Sequence, residues 1–152
     1  MIEEENIKEN LLIGVNFPYS LNGEKEFIKT ATKIEGELFN FAIENEEDNY
    51  IGGCGINSID RKNSIAEIGL WIGKDFHGKG YGSDTLRTLC KFIFDEMNIN
   101  KVYLSYFAFN EKGRKCYDAV GFKEEGRHRK EIFRFGKYFD RISMGIFRDE
   151  LK

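Results

Sequence analysis

The sequence has a single proline, Pro18, and no Gly/Ser/Pro-rich stretch that reads as a linker. Neither an internal repeat nor a low-complexity tract is visible, so the 152 residues read as one domain with a sizeable core. Long apolar runs are missing, and none approaches the length of a transmembrane helix. The opening Met1–Asn10 is acidic and polar, unlike a signal peptide. A cytoplasmic protein without a membrane partner is expected. Cysteine is scarce. Cys54, Cys90 and Cys116 are odd in number, widely spaced and form no CxxC pair, which disfavours a disulfide framework or a zinc site. Reduced thiols and no metal are expected. Positive charge is not in excess: 23 Lys/Arg stand against 26 Asp/Glu, a net charge of −3. That argues against a nucleic-acid partner.

What remains is an ordinary globular balance, 41% hydrophobic and 32% charged. The charge is unevenly placed. Residues 1–50 hold 12 acidic and 4 basic side chains (−8), and residues 51–152 hold 14 and 19 (+5). Solvated faces account for most such asymmetry. A sharper reading sets an acidic side for a cationic substrate against a basic side for a phosphorylated cofactor.

Spacing predicts the elements. Residues 25–35 place Phe27, Ile28, Ala31 and Ile34 on one helical face, with Asn22 ahead as a cap. Strands are expected at 38–44, 50–59 and 65–72, joined by polar turns at Asn45–Asn49 and Asp60–Asn63. The glycines of the second strand suggest a bulge or close approach by another backbone. Residues 83–97 have helical periodicity and 101–107 (KVYLSYF) read as a strand. A short helix over 111–120 ends at Gly121, a natural C-cap. Strands at 122–128 and 139–147 flank the turn Arg134–Lys137. The order fits a mixed α/β (α+β) sheet rather than a regular Rossmann alternation.

Between the third strand and the next helix lies GKDFHGKGYG, with four glycines in ten positions. Glycine lets backbone amides crowd together, and the helix behind aims its free N–H groups and positive dipole end at the same point. Ser83 reads as the residue that opens that helix. A Rossmann fingerprint would need glycine at Ser83, and a P-loop would need lysine where Tyr81 follows Gly80. The loop alone fits an ordinary strand-to-helix turn equally well.

Its context is more specific. Glu67–Gly82 (EIGLWIGKDFHGKGYG) resembles the coenzyme A loop of the GNAT (GCN5-related) N-acetyltransferase superfamily, Gln/Arg-x-x-Gly-x-Gly/Ala. That motif reads here His77-Gly78-Lys79-Gly80-Tyr81-Gly82. A second block, Asn110 to Phe122, is similar to the family's Asn-x-x-Ala/Ser-x-x-x-Tyr-x-x-x-Gly-Phe. A third, residues 124–140, resembles the closing hairpin of its ribosomal-protein-alanine and polyamine acetyltransferase branch. The resemblance covers about residues 17–150. His77 stands where the family usually has Gln or Arg. About sixteen residues precede Phe17, so the family's opening strand and helix are expected to be shortened.

The resemblance implies a GNAT fold, a mostly antiparallel sheet with a splayed strand pair, and acetyl-CoA as co-substrate. The acceptor it implies is a protein N-terminus, polyamine or small-molecule amine that attacks the thioester directly. Such an amine has a pKa near ~10.4 and must lose a proton first. Tyr117 matches the family's tyrosine acid, which protonates the leaving thiolate. Glu67, on the strand feeding the loop, is the candidate base or cation holder. It reads equally as a solvated or paired strand carboxylate. The backbone of Leu70, Trp71 and Ile72 is expected along the pantetheine arm, with an oxyanion donor near Ile72. His77, Gly78, Lys79, Gly80, Tyr81, Gly82 and Ser83 are expected around the pyrophosphate, with His77 as an anion contact. Asn110 is expected to bond the far end of the arm, beside Gly113, and Lys115 and Lys112 to approach phosphates. A monomer or homodimer is expected. Two rivals are a non-catalytic coenzyme A-binding regulatory domain and a generic nucleotide binder.

Overall fold

Residues 39–152 are described in a computed structural model of the chain. The helix expected over 25–35 and the opening segment lie outside the described residues. Strand β1 (Phe39–Glu44) turns through Asn45, whose Oδ1 accepts the N–H groups of Glu47 and Asn49. Strand β2 (Tyr50–Asp60) returns beside it, and β3 (Ile65–Ile72) completes an antiparallel meander. The glycines of β2 permit close contact. A Cβ on Gly52 would lie 2.3 Å from the Trp71 carbonyl oxygen.

Helix α1 (Tyr81–Asp95) follows, then β4 (Lys101–Phe107), helix α2 (Glu111–Val120), and the hairpin β5 (Lys123–Arg134) and β6 (Lys137–Phe147). The sheet has six strands among the described residues, in the order β1-β2-β3-β4-β6-β5. All neighbours are antiparallel except β3 and β4. The hairpin arms run longer than their apolar alternation implies. Register shifts near Gly126 and between His128 and Ile132, with Lys130 at φ 52°, break that alternation before pairing resumes at Phe133–Tyr138.

One sheet face carries the core. Leu86, Leu89, Cys90, Ile93 and Phe94 of α1 are buried against Ala66, Ile68, Val102, Leu104, Met144 and Ile146. Each such aliphatic side chain contributes roughly 1.5–3 kcal/mol by leaving water. The period of two in β4 sends the intervening Lys101, Tyr103 and Ser105 to the other face. There they line a polar hollow of about 450 Å³ with Ser58, Arg141 and Ser143.

The parallel pair β3–β4 is the feature that builds a site. It pairs only over Ile65–Glu67 and Lys101–Tyr103. Beyond that, β3 stays with β2 and β4 stays with β6, so the two strands part. A register shift in β2 between Ile56 and Ser58 lies opposite Ile68 and Glu67, at the point of divergence. Bulges increase local twist, which turns β3 away from β4.

Helix α2 ends as its sequence predicts. Gly121 takes φ 115°, and its N–H reaches the carbonyls of Tyr117 and Asp118. A Cβ there would lie 2.2 Å from the Glu150 carbonyl oxygen. Gly121→Ala is expected to cost about 3 kcal/mol through left-handed strain and this clash. Thermal unfolding should then shift down by about 6–12 °C. A shift under about 2 °C would show that the turn relaxes freely.

Candidate active site

The parted strands leave a cleft of about 760 Å³. Its walls come from β3, the glycine loop, α1, β4 and α2. Glu67, Leu70, Trp71, Ile72, His77, Gly78, Gly80, Tyr81, Gly82, Ser83, Asn110, Gly113, Lys115 and Tyr117 all line it. Of the sequence candidates, only Lys79 does not. Its Nζ instead lies 5.3 Å from the centre of the Phe76 ring.

Beyond Glu67 the β3 wall presents a backbone edge that no described strand pairs with. Gly73 N–H bonds the Ile51 carbonyl at 2.8 Å, and Gly52 stands opposite Ile72. Backbone groups of an antiparallel strand alternate in direction. Those of Leu70 and Ile72 therefore face away from β2, into the cleft, where β4 no longer pairs with them.

At the mouth, Gly78 and Gly80 take φ 73° and 91°, and a Cβ on either would meet no described residue within 4 Å. A ligand can thus approach this backbone closely. Gly80 is the N-cap of α1, with no side-chain cap. The helix therefore starts two residues before the expected Ser83. Asp84 N–H bonds the Gly80 carbonyl at 3.0 Å. The N–H groups of Tyr81, Gly82 and Ser83 precede the helical ladder, at the positive end of the dipole. Two side chains here face elsewhere. Tyr81 OH donates to Glu46 Oε2 at 2.8 Å, and this contact pushes its phenol up. Ser83 Oγ lies 3.4 Å from Cys116 Sγ.

Two of these side chains have polar atoms engaged locally. His77 does not turn an imidazole nitrogen to the loop mouth as an anion contact. Its Nε2 lies 2.8 Å from the Ile72 carbonyl oxygen, and its Nδ1 is buried without a hydrogen-bond partner among the described residues. Asn110 is occupied as the N-cap of α2, where its Oδ1 accepts Gly113 N–H at 3.0 Å. A Cβ on Gly113 would sit 2.7 Å from Asn110 Nδ2. Gly113 thus makes room for the capping amide, a local need that spacing alone does not separate from ligand approach. Asn110 Nδ2 and the second lone pair of its Oδ1 remain for a ligand.

Tyr117 is 9% exposed, between Tyr106 at 5.5 Å and Phe122 at 6.3 Å between ring centres. Burial first, then Cys116 and Tyr106, pushes its phenol well above the ordinary tyrosine value. It holds its proton at neutral pH. Glu67 stands where the strands diverge. Its Oε2 lies 3.4 Å from both Ser58 Oγ and Tyr103 OH, two long contacts that leave the carboxylate lightly held. The three cysteines are free, and burial pushes the Cys54 thiol up to about 11 and that of Cys90 to about 12.

Some lining residues are not evident from motifs. Asn57 occupies the β2 bulge beside Gly69 and lines the cleft at the divergence. Tyr106 follows from alternation in β4 once Leu104 is placed inward. Cys116 reaches the loop because Gly82 leaves space, a Cβ there lying 3.1 Å from its sulfur.

The family model for the acetyltransferase (GNAT) domain matches residues 3–123. The chain is 29% identical over 138 residues to the SPbeta prophage-derived uncharacterized N-acetyltransferase YokL of Bacillus subtilis (strain 168), covering 91% of this chain and 77% of that protein. It is 29% identical over 110 residues to the spermidine N(1)-acetyltransferase of Vibrio cholerae serotype O1, covering 72% and 64%. A crystal structure of spermidine N-acetyltransferase from Vibrio cholerae in complex with CoA and spermine superposes with a TM-score of 0.78 at 26% identity, covering 86% of this chain and 77% of that one. The chain spans 50% to 77% of the lengths of its curated relatives. No helix among the described residues is long and apolar enough to cross a membrane. The cleft, the uncapped helix and these matches agree: the chain belongs to the acetyltransferase (GNAT) domain family, whose compared members are N-acetyltransferases.

Proposed function

We propose that this chain is a cytoplasmic acetyl-CoA-dependent N-acetyltransferase whose acceptor is an amine of the polyamine class. The observation that carries the reading is the parted β3–β4 pair with an uncapped helix N-terminus at its mouth. The open space at Gly78 and Gly80 fits a pyrophosphate against bare backbone. The amides of Gly78–Ser83 would hold it, and Lys115 and Lys112 line the same cleft from α2. The cleft-facing backbone of Leu70 and the N–H of Ile72 suit the amides of a pantetheine arm, with Trp71 between them. When bound, acetyl-CoA supplies an activated acyl group.

The rest falls to the chain. Ile72 N–H faces the cleft and can donate to an oxygen that gains charge. Tyr117 keeps its proton at neutral pH and can give it to a leaving thiolate. Glu67 attracts the cationic form of the amine and can draw its proton, directly or through water. The polyamine choice draws on the named activities of relatives and on the −8 balance of residues 1–50. A thiol-release assay with spermidine, spermine, amino acids and an N-terminal peptide tests it. Release with the polyamines alone supports it. Release with the peptide alone moves the acceptor class. Coenzyme A binding with no release from any amine would make the chain a non-catalytic binder.

Glu67→Gln keeps the size of the side chain and removes its charge. Acceptor kcat/KM should fall at least about tenfold at pH 7, with the pH–rate profile moved towards alkaline pH, where the amine is neutral unaided. An unchanged profile removes Glu67 as the base.

A further inference from the structure

We infer that His77 is a positioning residue for cofactor binding, its imidazole tying the Ile72 carbonyl at the end of β3 to the start of the phosphate loop. The inference rests on the coenzyme A reading above. A carbonyl oxygen can only accept, so the proton of the 2.8 Å contact sits on Nε2. The contact closes residues 72–77 around a short 3₁₀ turn, within which His77 N–H also reaches the Lys74 carbonyl at 3.2 Å. His77 is the last fixed point before Gly78, whose surroundings are open. Beyond it, Lys79 lies over the Phe76 ring, the Gly80 carbonyl accepts from Asp84 N–H, Tyr81 bonds Glu46 and Ser83 meets Cys116. The amides between are thus hung from His77 at one end and from α1 at the other.

Two further facts separate this from packing. The ring leaves Nδ1 buried without a partner among the described residues, which is a cost that an apolar ring of similar shape would not carry. The carbonyl it holds lies on the edge of β3 that faces away from β2, so this side-chain hydrogen bond joins loop and edge, the two surfaces that would grip one cofactor, across a turn that His77 N–H and Phe76 N–H also close. Fixing a loop before binding raises affinity by lowering the ordering cost.

The experiment is calorimetric titration of the full chain with coenzyme A, alongside thermal unfolding, for wild type, His77→Phe and His77→Gln. Phenylalanine keeps the ring and removes the donor, and glutamine restores an N–H donor. The inference expects Kd to rise about tenfold in H77F with the melting temperature within about 2 °C of wild type, and to return within about threefold in H77Q. A wild-type Kd in H77F overturns it. So does H77Q binding as weakly as H77F while both melt more than about 5 °C lower, since the ring then serves packing. Should H77F fail to fold, H77Q decides: binding within about threefold supports the inference, and a loss beyond about tenfold overturns it. A wild type that binds no coenzyme A removes the cofactor reading and this inference together. A wild type that binds as tightly as H77F removes this inference alone.

Discussion

Tyr117→Phe is expected to lower turnover at least about tenfold while leaving coenzyme A affinity near wild type. The substitution removes one oxygen and keeps the ring between Tyr106 and Phe122. No described residue hydrogen-bonds that hydroxyl, so its loss should leave stability within about 0.5 kcal/mol. A phenol in water is a poor acid at pH 7, and burial in this cleft makes it poorer at ionising but keeps it fully protonated. Such a group can act only where negative charge develops beside it, as on a departing thiolate. The effect therefore belongs in kcat and not in cofactor affinity. Unchanged turnover in steady-state assays would remove Tyr117 as the acid.

Gly80→Asp is expected to weaken coenzyme A binding at least about a hundredfold, which is about 2.7 kcal/mol. Space does not oppose the new side chain, since a Cβ at Gly80 meets no described residue within 4 Å. The φ of 91° costs it about 1–2 kcal/mol of strain. The fold should persist, and the new carboxylate then stands at the mouth where a pyrophosphate would bind. Like charges about 4 Å apart repel by about 4 kcal/mol at an effective dielectric of 20. Titration calorimetry measures the loss, and an unchanged melting profile would assign it to the loop. Wild-type affinity would show that the diphosphate sits elsewhere.

The parts of this molecule that sequence pattern makes readable are those decided locally. Residues 65–72 and 101–107 are strands of the expected extent, and α2 runs from Glu111 to a C-cap at Gly121. Strict alternation and a left-handed glycine need no distant partner to be recognised. Helix α1 begins earlier than its first hydroxyl because an uncapped glycine starts it. Periodicity marks the apolar face of a helix but not a bare cap. The parting of β3 from β4 enters through family resemblance alone, since it depends on which neighbour each strand keeps and on a bulge at Asn57. His77 and Asn110 show the same limit at the level of atoms. Spacing brings both to the cleft, and local hydrogen bonds to Ile72 and Gly113 decide where their polar atoms point.

The account depends on backbone N–H groups between Gly78 and Ser83 receiving a diphosphate at the mouth of a slot cut between two parallel strands. Amide chemical shifts of ¹⁵N-labelled protein during titration with acetyl-CoA report on those groups one by one. The largest changes should fall on Gly78, Gly80, Tyr81, Gly82 and Ser83, followed by Leu70 and Ile72. Saturating acetyl-CoA that leaves those resonances in place would contradict the account.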